Sequence, residues 1–262
     1  MEAPPPALFP QDRQRLILEM LDAKGSLASS DIADSLGVNP VTIRRDLRNL
    51  ADQGLLDLVH GGARRVAYPG PLIREVDLHT KQVTNLSAKK TIAAKAGKLV
   101  PAGATVALNA GSTVEMIARG IPATATECTF VTLSLNVAST IAARPDSTLL
   151  LAGGLYRPTS QSFVGDYASD FLSELRADIA FLGASAVDLH AGWTHPAIEE
   201  VRPNQVMLRM AQTSYLVCDS SKFGVTGLAR IAGLDEFAGI IGDDDLPDDV
   251  RNWAEERGIE VL

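Results

Sequence analysis

The chain has only two cysteines, Cys128 and Cys218, in 262 residues. They lie far apart and in no CxxC pattern, so neither a disulfide framework nor a cysteine-based zinc site is indicated, and a reducing cytoplasm is the expected compartment. No apolar run approaches the roughly 18 residues that a spanning helix needs, so no membrane partner is expected. The opening MEAPPPALFP lacks the basic and apolar regions of a secretory signal and reads as a disordered tail over residues 1–10. Beyond that proline-rich stretch there is no low-complexity tract and no internal repeat. Positive charge is not in excess either: the net charge of −8 argues against polyanion binding by the chain as a whole.

What is present suits a soluble protein with a sizeable buried core, at 46% hydrophobic and 21% charged residues. The length allows one or two domains. Charge is unevenly placed. Residues 1–70 hold eight Lys/Arg against nine Asp/Glu, net −1, which leaves sixteen against twenty-three, net −7, for the remainder. Within residues 41–66 five arginines face three aspartates, net +2, so any polyanion-binding face is local and small.

From Asp12 to Ala23, Leu16, Ile17, Met20 and Leu21 form one apolar helical face, and Lys24-Gly25 is a plausible stop. Ser29 or Ser30 can cap a second helix, DIADSL, with Ile32, Ala33 and Leu36 inward. Gly37 then supplies a left-handed exit that glycine takes without strain. Asn39 is a good N-cap and Pro40 a favoured first helical residue. In the third helix Ile43, Leu47 and Leu50 make the buried stripe, which pushes Thr42, Arg44, Arg45 and Arg48 outward. After Gly54, LLDLV and HGGARRV read as two short strands around a Gly-Gly turn. Three short helices and a hairpin make a winged helix-turn-helix.

A helix of that kind fits a major groove, with backbone N–H groups and arginines on phosphates and one or two side chains at base edges. The expected DNA-binding residues are Ser30, Asn39, Pro40, Val41, Thr42, Arg44, Arg45, Arg48, His60, Gly61, Gly62 and Arg64, with Arg65 beside them; the partner is double-stranded operator DNA. The competing reading is a solvated face on a protein-binding winged helix, supported by Leu58 and the acidic Asp46 and Asp57.

Tyr68-Pro69-Gly70-Pro71 punctuates the chain. The expected organisation is a tail over 1–10, a winged helix-turn-helix over 11–68, a linker with a connector helix over 69–99, and an α/β domain over 100–262. In the last part TVALN, TFVTLS, STLLLAG, DIAFLGAS, SYLVCD and GIIGD are continuous apolar runs, as in parallel strands buried on both faces. Helical stretches alternate with them, which predicts a Rossmann-like, mostly parallel sheet.

Ligands in such sheets gather at the carboxyl ends of the strands. There stand Asn109, Ala110, Gly111, Ser112 and Thr113, a turn into a helix whose N–H groups and hydroxyls suit an anion. Ser134, Gly153, Gly154, Gly183, Ser185, Asp219 and Lys222 occupy the ends of later strands, with Lys222 the candidate mobile cation. These twelve are the expected effector-binding residues. No cofactor and no catalytic residue is expected. Glu115 and Asp188 are carboxylates without a recognisable partner for isomerase chemistry. His190 and His195, five apart, have poor metal-ligand spacing and suit surface or effector-lining loops. His79 lies in the connector.

TIRRDL followed at fixed spacing by HGGA resembles the DeoR family of bacterial transcriptional repressors. LNAGST, LAGG, DIAFLGASAVD with Gly192, and CDSSKFG look like successive motifs of that family's sensor domain, so the resemblance runs from about Arg13 to Asp243. It implies a sensor domain related to ribose-phosphate isomerases, a small effector of the sugar-phosphate class, a role in carbohydrate metabolism and a homo-dimer or homo-tetramer. Four positions depart from the family pattern. Leu58 stands where an arginine is usual, Asn109 replaces an aspartate, Leu133 replaces an asparagine, and Asn204 stands near a frequent lysine.

Overall fold

The computed structural model describes residues 10–52, 56–59, 61–65 and 72–262. The chain divides between Tyr68 and Pro69 into two compact units. His60, Gly54, the turn at Tyr68–Pro71 and nearly all of the proline-rich tail lie outside the described residues; Pro10 already opens the first helix.

The first unit runs α1 (Pro10–Lys24), β1 (Ser26–Ala28), α2 (Ser29–Leu36), α3 (Pro40–Asp52), β2 (Leu56–Val59) and β3 (Gly62–Arg65). Ile17, Leu21, Ile32, Ile43, Leu47 and Leu50, residues that helical periodicity singles out, fill one core together with Leu56 of β2. Two features differ from the sequence expectation. The hairpin has a third strand, since β1 pairs antiparallel with β3. Ser30 is not a cap: α2 starts at Ser29, its N-cap is Ala28 without a side-chain bond, and Ser30 Oγ meets only Asp31. Extending β1 to Ala28 moves the helix start one residue earlier than the serine pair suggests.

The second unit begins with an extended segment at Leu72, followed by α4 (Leu78–Val83), α5 (Leu86–Gly97), β4 (Thr105–Leu108), α6 (Ser112–Gly120), β5 (Thr129–Thr132), α7 (Leu135–Ile141) and β6 (Thr148–Leu151). A hairpin of β7 (Leu155–Arg157) and β8 (Ser162–Val164) leads to α8 (Asp166–Ser173) and β9 (Ala177–Gly183). Then come β10 (Ala186–Asp188), β11 (Gly192–His195), α9 (Val201–Met210), β12 (Ala211–Val217), β13 (Ala229–Ala232), β14 (Gly239–Ile241), α10 (Asp248–Glu255) and β15 (Glu260–Val261).

Seven strands form one sheet in the order β15-β14-β12-β9-β4-β5-β6, every pairing parallel. Alternate residues feed two cores. Val106, Leu108, Phe130, Phe181 and Val217 pack with α5, α6 and α7 on one face. Ala107, Val131, Ala180, Leu182 and Leu216 pack with α8, α9 and α10 on the other. Strand order therefore reverses between β4 and β9, and a crevice opens at the carboxyl ends of strands at such a switch point.

Residues 72–99 hold two helices where a single connector helix is expected. Asn85 adopts a left-handed conformation (φ 49°) that splits the segment into α4 and α5. Ile92, Ala93 and Ala96 of α5 are buried in the same core as α6, so this stretch is part of the second unit.

Candidate functional site

In the first unit α3 carries a polar exposed face. Asn39 accepts the Val41 N–H at 2.8 Å through Oδ1, and its carbonyl takes the Thr42 and Ile43 N–H groups, which fixes the start of the helix. Val41 is 70% exposed, and Arg44, Arg45 and Arg48 are all exposed. The helix's central carboxylate does not offset them. Asp46 is buried and takes both Nε (2.5 Å) and Nη2 (3.2 Å) of Arg13 from α1. A residue that counts against DNA binding in the sequence is thus neutralised internally, and the outward face keeps three guanidinium groups. On the hairpin, Gly61 lies in the turn, Gly62 pairs with Val59 and Ala28, and Arg64 is exposed. Leu58 and Val59 are exposed on β2.

In the second unit a cavity of 310 Å³ sits at the switch point. Its floor is Asn109 to Thr113, where β4 runs into α6, together with Gly183 and Ser185 after β9. Gly111 takes φ 141° and a Cβ there would meet only open space, so backbone conformation rather than crowding asks for glycine. Ser112 and Thr113 are buried in the first turn of α6, whose N–H groups are the electropositive end of that helix.

Asn109 has a different role from the expected one. Its Oδ1 accepts the Gly183 N–H at 2.7 Å, and its Nδ2 donates to Gly183 O at 3.1 Å and to Asn204 Oδ1 at 2.7 Å. Both amide protons are consumed within the protein, joining β4 to β9 and α9. The two departures from the family pattern at Asn109 and Asn204 thus meet in one hydrogen bond. A third, Leu133, is fully buried in the apolar core and is not among the residues lining this cavity.

Four predicted residues are not brought to the cavity. Ser134 is buried and donates to Asn136 Oδ1 at 2.6 Å. Gly153 and Gly154 follow β6, and a Cβ at Gly154 would come within 2.6 Å of the Val164 carbonyl, so that turn packs on β8 and α8. Asp219 accepts from Ser221 and, at 2.9 Å, from Asn85, which organises the loop that presents Lys222. Glu115 does have partners: Arg119, Gln82 and Asn136 all donate to it, and it stands outside the cavity. Asp188 receives the His190 and Ala191 N–H groups in the turn between β10 and β11.

The residues that sequence reasoning missed include three cations. Arg74, Lys81 and Lys89 line the cavity with the predicted Lys222, and Glu200 is the lining carboxylate. Burial pushes the Lys81 ammonium pKa down; Glu75 opposes this and Lys222 adds to it. Burial likewise lowers Lys89, against the pull of nearby Asp219. Lys89 donates to the Thr84 carbonyl. His195 also lines the cavity, and burial holds it below the ordinary 6.5 despite Glu200, so its imidazole is neutral at neutral pH. Glu200 is held by Arg157 Nη1 and Ser162 Oγ, each at 2.9 Å. Apart from His195, foreseen as effector-lining, these groups gave no signal, because they sit in the segment read as a connector and, for Glu200, just before α9. The cavity therefore brings together one buried cation, Lys89, two half-buried ones, Lys81 and Lys222, and the exposed Arg74, with hydroxyls and amides around them.

Comparison with known proteins agrees with this geometry. The DeoR-like helix-turn-helix domain family matches residues 13–67, and the DeoR C-terminal sensor domain family matches residues 84–244. The HTH-type transcriptional regulator GlpR of Haloferax volcanii is 34% identical over 97% of this chain and 98% of its own. The glycerol-3-phosphate regulon repressor of Escherichia coli K12 is 29% identical over 95% of this chain and 97% of its own. Among solved structures, ribose 5-phosphate isomerase A of Methanocaldococcus jannaschii aligns with 53% of this chain and 55% of its own, at 19% identity and a TM-score of 0.40. With an N-terminal helix-turn-helix and a parallel α/β sensor domain matched across nearly their whole length, this chain belongs to the DeoR family of transcriptional regulators.

Proposed function

We propose that this protein is a cytoplasmic repressor of a carbohydrate-metabolism operon, released from its operator by a small anionic metabolite of the sugar-phosphate class. The observation that carries the effector class is the convergence of Arg74, Lys81, Lys89 and Lys222 on one cavity with Glu200 as its lining carboxylate. The N-terminus of α6 adds N–H groups for a phosphate, and Ser160, Ser185 and neutral His195 offer partners for hydroxyls. The name of the Escherichia coli relative, a glycerol-3-phosphate regulon repressor, supports the same class.

On the DNA side, Arg44, Arg45 and Arg48 of α3 contact the major groove and its phosphates, with Asn39, Pro40, Val41 and Thr42 at the leading end. A module of this size binds weakly alone, so a homo-dimer or homo-tetramer occupies repeated half-sites. Selection from a random duplex library followed by mobility shift at graded salt tests the reading. Binding should weaken with a log–log slope of roughly −0.9 per phosphate neutralised. A salt-insensitive signal would instead favour a protein partner at the apolar wing residues Leu58 and Val59. For the effector, thermal-shift screening of sugars and sugar phosphates with the full chain identifies the ligand by mass action. Ser112→Ala and Lys222→Ala should keep operator affinity while blunting release by that ligand, by about 5–150-fold if the coupling is of ordinary size.

A further inference from the structure

The segment Leu72–Asn85 follows the winged-helix unit in chain order and forms one wall of the cavity in the sensor unit. Ile73, Val76 and Leu78 supply apolar lining, and Arg74 and Lys81 supply two of its four lysine and arginine cations. The segment is tied down along its length. The Ile73 N–H donates to Thr226 O at 2.8 Å, and the Leu78 N–H to Thr159 O at 2.9 Å. Glu75 forms a two-pronged pair with Arg157, at 2.9 and 2.6 Å, and the same guanidinium holds the cavity-lining Glu200. Lys81 Nζ reaches Ser185 Oγ at 3.4 Å, beside the carboxyl end of β9, and Asn85 ends the segment on Asp219 and Ser221.

We infer that this strap is itself a ligand-binding element: Arg74 and Lys81 close on an anion in the cavity, and the Glu75–Arg157 pair is the latch that holds the strap in register. The inference rests on the cavity being the effector site. Its physical basis is differential stabilisation. An anion favours only the arrangement in which the strap's cations face it, so occupancy biases the strap directly. The bias acts at the start of the sensor unit, on the chain that comes from the DNA-binding unit. No relay through the sheet is then needed, and a single element reads the ligand and carries the signal.

Hydrogen–deuterium exchange of the full chain, with saturating inorganic phosphate against sodium chloride of equal ionic strength, tests this. Slowed exchange in both the cavity floor (residues 109–113) and the strap (residues 72–85) is expected. Lys81→Met, which keeps the aliphatic stem and removes the charge, should retain floor protection and lose strap protection. Glu75→Gln should speed strap exchange about tenfold without phosphate, the loss of a charged hydrogen-bonded pair. Floor protection with an unchanged strap would overturn the inference and leave the effector site standing. Protection of neither region would overturn the effector-site reading and the strap inference together. Lys81→Met serves alone should Glu75→Gln fail to fold, since the latch substitution touches a buried pair.

Discussion

Arg45 and Asp46 are neighbours in α3 with opposite fates, one exposed and the other buried against Arg13. The helical repeat sends adjacent residues about 100° apart, and here it separates an outward-facing charge from a structural one. Arg45→Ala is predicted to weaken operator binding by about 1–3 kcal/mol if it reads a base, with an unchanged unfolding midpoint. Normal footprinting by that variant would contradict the assignment of this helix face. Asp46→Ala should act in the opposite manner. It removes the carboxylate that Arg13 Nε and Nη2 both bind, and loss of one partner of a buried pair costs up to about 3–5 kcal/mol. Urea titration of the full chain followed by probes in each unit should show the winged helix unfolding earlier while the sensor unit keeps its midpoint.

At the scale of elements, one amide side chain bonds β4, β9 and α9 together beyond the sheet ladder and the apolar core. Asn109 both accepts from and donates to Gly183, and it donates to Asn204. Asn109→Asp replaces two donated protons with a lone-pair-bearing oxygen aimed at two other acceptors. We predict a loss of about 1–3 kcal/mol in the sensor unit, read from the urea midpoint. Adding Asn204→Lys places a cation against the new carboxylate and should recover part of the loss. A double-mutant cycle measures that coupling, and strict additivity would mean that the two side chains do not act as a pair.

For the whole molecule, the relevant charges are those whose environment changes on folding. Burial pushes the Glu115 carboxyl up, but hydrogen bonds from Arg119, Gln82 and Asn136 outweigh it and hold the group below the ordinary 4.5. Burial of Glu75 is similarly outweighed by Arg157, and burial of Asp219 by Ser221, Lys222 and Asn85. All three carboxyls therefore bind fewer protons when folded than when unfolded. Their contribution is complete above the unfolded values and is lost as pH falls through the lower folded values. Stability of the full chain is predicted to decline from about pH 4.5 downward, with a shallower decline for Glu115→Gln, by urea midpoints across about pH 3–6. A slope unaffected by that substitution would mean that the Glu115 cluster is not ionised in the folded state.

The helices of the winged domain and six strands of the seven-stranded sheet were legible because periodicity and turn residues are local. Ile43, Leu47 and Leu50 must share a face whatever else the chain does, and a strand covered on both sides must be apolar throughout. The Gly111-Ser112-Thr113 turn was legible for the same reason, since it stands between a strand and a helix. Three facts were beyond local reach: that Asp46 is cancelled by a residue 33 positions away, that Asn109 spends its amide on Asn204, and that the presumed connector contributes Arg74 and Lys81 to the cavity. Those depend on which strand ends the parallel sheet brings together at its switch point and on what then packs over them. Sequence alone determined the elements and their apolar faces, because each is set by residues within a few positions. Tertiary structure decided which charges line the cavity and which face each other, because that depends on distance through space, which order along the chain does not supply.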